Sequence, residues 1–212
     1  PTGPNLVARA DTIITAGARS VAISVWYPTT VAGTAPYTPT ASPVARAQIA
    51  ARAALWLHTP AAAPAMATTV LPVAEAAPAA GDDLPVVVWS PGMGTPRWLA
   101  SGLAMDLAAR GYVVVAVDHT GETPAVEISG RVEAGTPPNT GDPAYMRAAL
   151  DTRVRDVRTV IDRLAELPAV GDRIDPDRVA VVGHSYGGLT AVTAAATDPR
   201  IRTALVLDGS AG

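Results

Sequence analysis

Residues Val179–Leu189 read V-A-V-V-G-H-S-Y-G-G-L, and this sequence is the strongest indication of the fold. Val179–Val182 are β-branched or small and predict a buried strand, and small apolar residues over Gly188–Ala196 predict a helix. A G-x-S-x-G sequence between a strand and a helix is typical of a sharp turn that presents a serine nucleophile, here Ser185. Such a turn strains the central residue, so its neighbours must be small. The alternative is a glycine-rich turn whose serine is incidental.

Strands and helices alternate from residue 84 onwards, which predicts right-handed βαβ units and a mostly parallel sheet. The predicted strands are Leu84–Ser90, Tyr112–Val117, Val179–Val182 and Arg202–Leu207, and the predicted helices before the turn are Arg97–Arg110 and Asp142–Leu167. An antiparallel hairpin, formed by Asp11–Ala16 and Ser20–Tyr27, precedes them. The fold class is therefore α/β, with the sheet incomplete at its C-terminal edge, because a last parallel strand at Leu207 leaves an apolar edge uncovered.

Three further segments complete the prediction. Helical spacing of apolar residues predicts a helix over Pro43–Leu57. Ala61–Asp83, rich in alanine and proline, is interpreted as an extended segment and not as a linker between domains. Thr120–Asp142 is rich in glycine and proline and predicts a long loop of the kind that lines sites.

Composition excludes several classes of protein. The chain has 212 residues, 49% of them hydrophobic, 17% charged and none of them cysteine, with a formal net charge of −3. This favours one globular domain over residues 1–212 and gives no reason to expect nucleic acid as a partner. No apolar run approaches the ~18 residues of a membrane span, so no stable membrane insertion is expected. The three histidines lack metal-ligand spacing, and we expect no metal and no cofactor.

The carboxyl ends of the predicted strands bring other candidate residues to Ser185. The backbone N–H of Tyr186 is a candidate donor to an oxyanion, and Met93, in the loop after Leu84–Ser90, is the candidate for a second donor. A plain glycine-rich turn is the alternative for Met93. Asp208 ends the last strand and is the candidate acid of a triad, although a capping or solvated aspartate is the alternative.

The chain resembles the α/β-hydrolases of the plasma-type platelet-activating-factor acetylhydrolase branch, which includes bacterial esterases and lipase relatives. The matching stretches cover most of the chain: Pro1–Pro4, Val25–Pro28, Leu84–Gly94, Val115–Thr120, Gly183–Gly188 and Leu207-Asp208. The resemblance implies an α/β-hydrolase fold, Ser185 as nucleophile, Asp208 as acid, and Met93 and Tyr186 as oxyanion donors. Pro91 departs from the histidine of many members, which changes the polarity beside the site.

The catalytic base is the missing element. The family's histidine comes from a loop well after the acid, so we expect a C-terminal segment of the same protein to supply it. His184 adjoins the nucleophile and is expected to point away from it, packed under the turn or bonded to backbone. His119 is expected to order a loop or line the pocket, with the base as a lesser alternative, and His58 to be structural or on the surface. Gly92 and His184 are further possible pocket-lining residues.

These observations predict a serine esterase that cleaves an uncharged or hydrophobic carboxylic ester through an acyl-enzyme. Short-chain acyl esters, acyl groups of lipids and polyesters remain open as substrates. An amidase or peptidase on the same fold, and a non-catalytic scaffold that binds a ligand or partner, are the alternatives. We expect a secreted or extracellular protein more than a cytoplasmic one.

Overall fold

A computed structural model describes residues 1–40 and 42–209, and its centre is a twisted sheet of seven strands. The strands within these residues, in order, are β1 Leu6–Ala16, β2 Arg19–Thr29, β3 Ala35–Pro36, β4 Val70–Leu71, β5 Ala74–Glu75, β6 Leu84–Ser90, β7 Val113–Asp118, β8 Ala125–Ile128, β9 Arg131–Ala134, β10 Ile174–His184 and β11 Ile201–Leu207. The central sheet has the order β11-β10-β6-β7-β2-β1-β5, while β3 with β4 and β8 with β9 form two small sheets.

The pairing confirms a mostly parallel sheet led by an antiparallel hairpin. β11, β10, β6 and β7 pair in parallel, whereas β2 is antiparallel to both β7 and β1. β6, β7 and residues Val179–Val182 of β10 are rich in valine, which is the pattern of strands buried on both faces.

The helices are α1 Pro43–Trp56, α2 Ala63–Thr68, α3 Ser101–Ala109, α4 Pro143–Asp162 and α5 Tyr186–Thr197. The last three cover the two faces of the central sheet, while α1 packs against α2 and the β8–β9 hairpin. The first face packs against apolar residues of α4 and α5, such as Val157 and Ala191. The second face carries Trp26 and Trp89 and packs against alanines of α3. The buried side of α3 is therefore formed by small residues, and Leu103 is 38% exposed.

Two segments have more regular structure than the sequence predicts. The stretch interpreted as extended, Ala61–Asp83, contains α2, because its alanines favour helix. The predicted loop Thr120–Asp142 contains the β8–β9 hairpin. Its turn residues Ser129 and Gly130 both have positive φ, at 50° and 79°, as a two-residue type I′ turn requires.

The last strand, β11, is the edge of the sheet among residues 1–40 and 42–209. Ala204 and Val206 are half-buried on the side of α5, but Leu205 on the opposite side is 50% exposed and Leu207 is 36% exposed. No helix in the described part of the chain covers that side, so the sheet is uncovered at this edge, as predicted. Within the same residues, no helix is long and apolar enough to cross a bilayer.

Candidate active site

The turn between β10 and α5 holds Ser185 in a strained conformation, with φ 52° and ψ −123°. Left-handed φ is costly for a residue other than glycine and persists only where the surroundings enforce it. The neighbours explain how the turn closes: a Cβ on Gly183 would collide with the carbonyl oxygen of Gly187, and a Cβ on Gly187 would collide with that of Ser90. Ser185 itself is exposed, at the carboxyl edge of the sheet.

Asp208 lies at the same edge, directly after β11. The Ser185 N–H donates a hydrogen bond to the carbonyl oxygen of Leu207 at 2.9 Å, which ties the turn to the end of the neighbouring strand. The carboxylate of Asp208 is 96% exposed and lies 3.9 Å from Nε2 of His184. Asp208 is therefore adjacent to the turn, and its carboxylate makes no hydrogen bond within the described residues.

The loop after β6 lies against the serine. A Cβ placed on Gly92 would be 3.6 Å from the Cβ of Ser185, which is van der Waals contact. A hydrogen bond from Thr95 N–H to the Gly92 carbonyl oxygen, at 3.1 Å, closes the loop into a turn. Among the described residues the N–H of Met93 has no acceptor, and the N–H of Tyr186, as the first residue of α5, has none within its helix. Both amides are free to bind a ligand oxygen.

His184 lines a cavity beside the turn. Its ring is 47% exposed, which makes the expectation that it packs under the turn wrong. The cavity has a volume of about 400 Å³, and Gly92 and Leu207 also line it, together with apolar side chains of the loop and of α3. Its walls are mainly apolar, in keeping with an uncharged ligand or an apolar protein segment.

His119 lies in the interior and not at a pocket wall. Its Nε2 is 2.9 Å from the hydroxyl of Ser90, and its Nδ1 is 2.9 Å from Oδ2 of Asp156 on α4. Burial, and then the positive charge of Arg153, lower the pKa of His119 below its ordinary value. A neutral ring fits both contacts, since Nδ1–H donates to Asp156 and Nε2 accepts from Ser90. With both nitrogens occupied, this ring is a poor candidate for a base.

The carboxylate of Asp156 is held by an arginine as well as by His119. Arg19 contacts both of its oxygens, at 2.5 Å and 2.6 Å. Burial opposes the charged form, but the hydrogen bonds from Arg19 and His119 prevail and lower the pKa of Asp156. The carboxylate is therefore charged at neutral pH and orders the interior below the loop after β7.

Another buried arginine, Arg153 on α4, contacts the loop after β6. Arg153 is buried and donates hydrogen bonds to the carbonyl oxygens of Pro91 and Gly92 and to the carboxylate of Glu122. Sequence reasoning treats α4 as an amphipathic helix and misses both Arg153 and Asp156. Their position in the helix is the feature that could have identified them as buried. They lie three residues apart, next to the buried Val154 and Val157, where a solvent-facing charge is not expected.

In the described ranges, no group of three or more histidine, aspartate or glutamate side chains is arranged to hold a metal ion. Ser185, His184 and Asp208 are the exposed polar residues at this edge, next to the loop after β6.

Comparison with known families places the chain among hydrolases. Residues 1–139 match the family described as platelet-activating factor acetylhydrolase, isoform II, and residues 82–212 match the family described as serine aminopeptidase, S33. The platelet-activating factor acetylhydrolase of Bos taurus is 27% identical over 157 residues, which are 60% of this chain and 35% of that protein. The probable 1-alkyl-2-acetylglycerophosphocholine esterase of Arthroderma benhamiae is 28% identical over 127 residues, with 59% of this chain and 31% of that protein covered. The chain thus spans about a third of the length of these curated relatives.

Solved structures give the same fold over almost the whole chain. A ferulic acid esterase from Streptomyces cinnamoneus superposes with a TM-score of 0.79 and 31% identity, covering 99% of this chain and 61% of that one. A dienelactone hydrolase-like promiscuous phosphotriesterase from metagenomic libraries superposes with a TM-score of 0.56 at 14% identity, covering 96% of this chain and 60% of that one. The second likeness concerns the fold alone. Together with the strand order, these comparisons confirm the predicted α/β-hydrolase fold.

Proposed function

The chain belongs to the platelet-activating factor acetylhydrolase isoform II family. We propose that it carries the nucleophile, the acid and the oxyanion donors of a carboxylic ester hydrolase. One observation supports this most strongly. Ser185 has a strained, positive φ and is exposed at the carboxyl edge of the sheet, next to a loop whose Met93 amide has no acceptor in the described residues. Strained residues of this kind cluster at functional sites, and the exposure of Ser185 distinguishes it from a residue strained only by a turn.

In the proposed mechanism the Ser185 Oγ attacks the carbonyl carbon of the ester while a base removes its proton. The carbonyl oxygen becomes an oxyanion, which the N–H groups of Met93 and Tyr186 stabilise; one such donor is typically worth about 3 kcal/mol of barrier. The C–O bond to the alcohol breaks, the alcohol leaves with the proton, and water then hydrolyses the acyl-enzyme by the same steps. Asp208 orients the base and stabilises its protonated form.

We propose that the base is a histidine from a segment of the same protein outside these 212 residues, so that this chain forms the N-terminal portion of one hydrolase domain. Both ring nitrogens of His119 are already bonded inside the protein. The exposed Leu205 and Leu207 on the uncovered side of β11 offer an apolar surface against which further chain would pack, next to Asp208.

The substrate class we propose is an ester with a hydrophobic acyl or alcohol group: a short-chain ester, a lipid acyl ester or a polyester. The cavity beside His184 has mainly apolar walls. The names of the relatives point to ester bonds of different kinds, namely an acetylated phospholipid in two of them and ferulic acid in a third. An extracellular location stays a prediction, and fractionation of the producing cells would test it.

A peptidase is the second candidate, because residues 82–212 match the serine aminopeptidase S33 family. Amides need more help to expel their leaving group than esters do, so hydrolysis of amino-acid anilides against that of matched esters separates the two. A non-catalytic binding scaffold is the alternative from another class.

The decisive experiment treats the protein in its full natural length with a fluorophosphonate probe and then assays p-nitrophenyl acetate, butyrate and octanoate, methyl ferulate and alanine p-nitroanilide. We expect covalent labelling at Ser185, loss of labelling in Ser185→Ala, and hydrolysis of at least one ester. Labelling with hydrolysis of the anilide alone would favour the peptidase. Absence of both labelling and turnover would favour the scaffold.

A further inference from the structure

One buried cation lies directly beneath the proposed oxyanion site. The guanidinium of Arg153 donates from Nη1 to the Pro91 carbonyl oxygen at 2.8 Å and from Nη2 to the Gly92 carbonyl oxygen at 3.2 Å. The third contact, from Nε to Oε2 of Glu122 at 2.7 Å, balances its charge. Two successive carbonyls are thus held by one planar fork, which a lysine ammonium cannot reproduce.

This contact helps to fix where the Met93 amide points. In a planar trans peptide the C=O and the N–H point in opposite directions. The Gly92 carbonyl and the Met93 N–H belong to one such unit. Because Arg153, together with the Thr95 N–H, holds the carbonyl, the Met93 N–H must face away from Arg153.

The loop needs such an anchor because it contains glycine at its closest approach to the catalytic turn. A Cβ at position 92 would lie 3.1 Å from Nδ1 of His184 and 3.6 Å from the Cβ of Ser185. Glycine avoids a close contact with His184 here, but it leaves the backbone free to adopt other conformations. A hydrogen bond from outside the loop removes that freedom.

The same guanidinium also contacts the residue that provides the second donor. Its Cζ lies 5.3 Å from the centre of the Tyr186 ring, in cation–π geometry, and the Tyr186 hydroxyl donates to the carbonyl oxygen of Met146 on α4. One side chain on α4 therefore touches both the loop of Met93 and the first residue of α5.

We propose that Arg153 is a positioning residue that sets the two oxyanion amides relative to each other, an inference that rests on the proposed function. It does not touch the substrate. It acts by fixing the peptide plane of Met93 and the placement of Tyr186, so its removal should weaken stabilisation of the transition state and leave binding of the ground state nearly unchanged.

The chain offers a matched control in Arg9 on β1. Arg9 is equally buried, binds the carboxylate of Asp11 at 2.9 Å, donates to the carbonyl oxygen of Pro36 at 2.7 Å, and lies 5.3 Å from the Trp26 ring centre. It has the same three kinds of contact but none with the loop after β6. Any general effect of losing a buried arginine should appear in both places.

The experiment compares Arg153→Met/Glu122→Gln with Arg9→Met/Asp11→Asn in the protein of full natural length, each pair being changed together so that no carboxylate stays unpaired. The readouts are kcat and KM for p-nitrophenyl acetate, the Ki of a trifluoromethyl ketone that forms a tetrahedral adduct with the serine, and the midpoint of thermal unfolding. We expect the first variant to lose about tenfold or more in kcat, with a parallel rise in Ki and a KM within about twofold. The Arg9 variant should keep kcat and Ki, even if its midpoint of thermal unfolding falls by as much as that of the Arg153 variant.

Arg153→Lys should recover part of kcat, since an ammonium can bind one of the two carbonyls, and it carries the test if the double variant does not fold. Equal losses of kcat in the two double variants, or a loss that falls on KM, would overturn the inference while leaving the ester hydrolase proposal intact. If Ser185→Ala retains activity, the proposed function itself fails, and the two failures are therefore distinct.

Discussion

Two serines in this protein have acidic and histidine neighbours, and only one of them is exposed. Ser90, His119 and Asp156 form a continuous chain of hydrogen bonds with the connectivity of a catalytic triad, yet all three are buried. Ser185 and Asp208 lack that connectivity but are exposed at the edge of the sheet. Connectivity alone therefore does not identify an active site.

The backbone separates the two regions further. Ser185 has positive φ, whereas Ser90 ends a regular strand. Strain at Ser185 is maintained by glycines and by its bond to the Leu207 carbonyl. Residues with such strain cluster at active sites and switch regions, while a relaxed, hydrogen-bonded serine is typical of a structural position. The hydrogen-bonded residues Ser90, His119 and Asp156, called the buried chain below, thus support the structure beneath the site.

The largest expected difference between the regions is in the two serines. Ser185→Ala should lower kcat for p-nitrophenyl acetate by up to about a millionfold, because the nucleophile is lost. Ser90→Ala should leave most of the activity and instead lower the free energy of unfolding by about 1–3 kcal/mol, because Nε2 of the buried His119 loses its partner. Steady-state kinetics and urea denaturation of both variants measure this. Abolition of activity by Ser90→Ala in a folded protein would reverse the roles assigned to the two regions.

The two aspartates give the next largest contrast. Asp208→Asn should lower kcat by about ten-thousandfold, as expected when the residue that orients a catalytic histidine is neutralised, with little change in the unfolding midpoint since the side chain is exposed. Asp156→Asn should do the opposite and destabilise the fold by about 2 kcal/mol. That figure is below the cost of breaking a fully buried pair, because Arg19 is 32% exposed and partly screened.

The urea midpoint and kcat of each aspartate variant, measured side by side, check the second contrast. An active Asp208→Asn enzyme would remove Asp208 from the proposed mechanism and leave Ser185 in place.

Sequence reasoning predicts one of these regions much better than the other. The turn at Ser185 is local, and a strand, three small residues and a helix are all visible within one short stretch. The buried chain joins residues from β6, the end of β7 and the middle of α4, so it depends on tertiary contacts. From the sequence, Asp156 and Arg153 are recognisable only as charged residues next to the apolar residues of α4. The residues to which they bind cannot be predicted from the sequence.

The fold shows the same division. The parallel strands and the long helix α4 follow from runs and periodicity of apolar residues, and the sheet confirms them. The β8–β9 hairpin was missed because glycine and proline around it are typical of loops, while its two-residue turn depends on the left-handed backbone of Ser129. Local patterns predicted the scaffold and the turn at Ser185, but not the polar contacts of Arg153 with the loop after β6.

The smallest predicted difference between the regions is in their pH dependence. The pKa of His119 is lower in the folded protein than in the unfolded chain, where it is near its ordinary value of about 6.5. Above that pH neither the folded nor the unfolded state binds the proton, so the contribution of the buried chain to the free energy of unfolding is at its full value. As the pH falls below it, the unfolded chain takes up a proton that the folded protein does not, and the free energy of unfolding decreases by at most about 1.4 kcal/mol per pH unit for this one group.

Urea midpoints measured at intervals between pH 7.5 and pH 5 should therefore fall in the natural protein and fall less steeply in His119→Leu. His58→Asn is the matched control: it removes an exposed histidine and keeps a residue that tolerates the positive φ of 57° at that position. We expect its pH dependence to follow that of the natural protein. An unchanged slope in His119→Leu would mean that His119 binds its proton equally well in both states, and the buried chain would then have no part in the acid sensitivity of the fold.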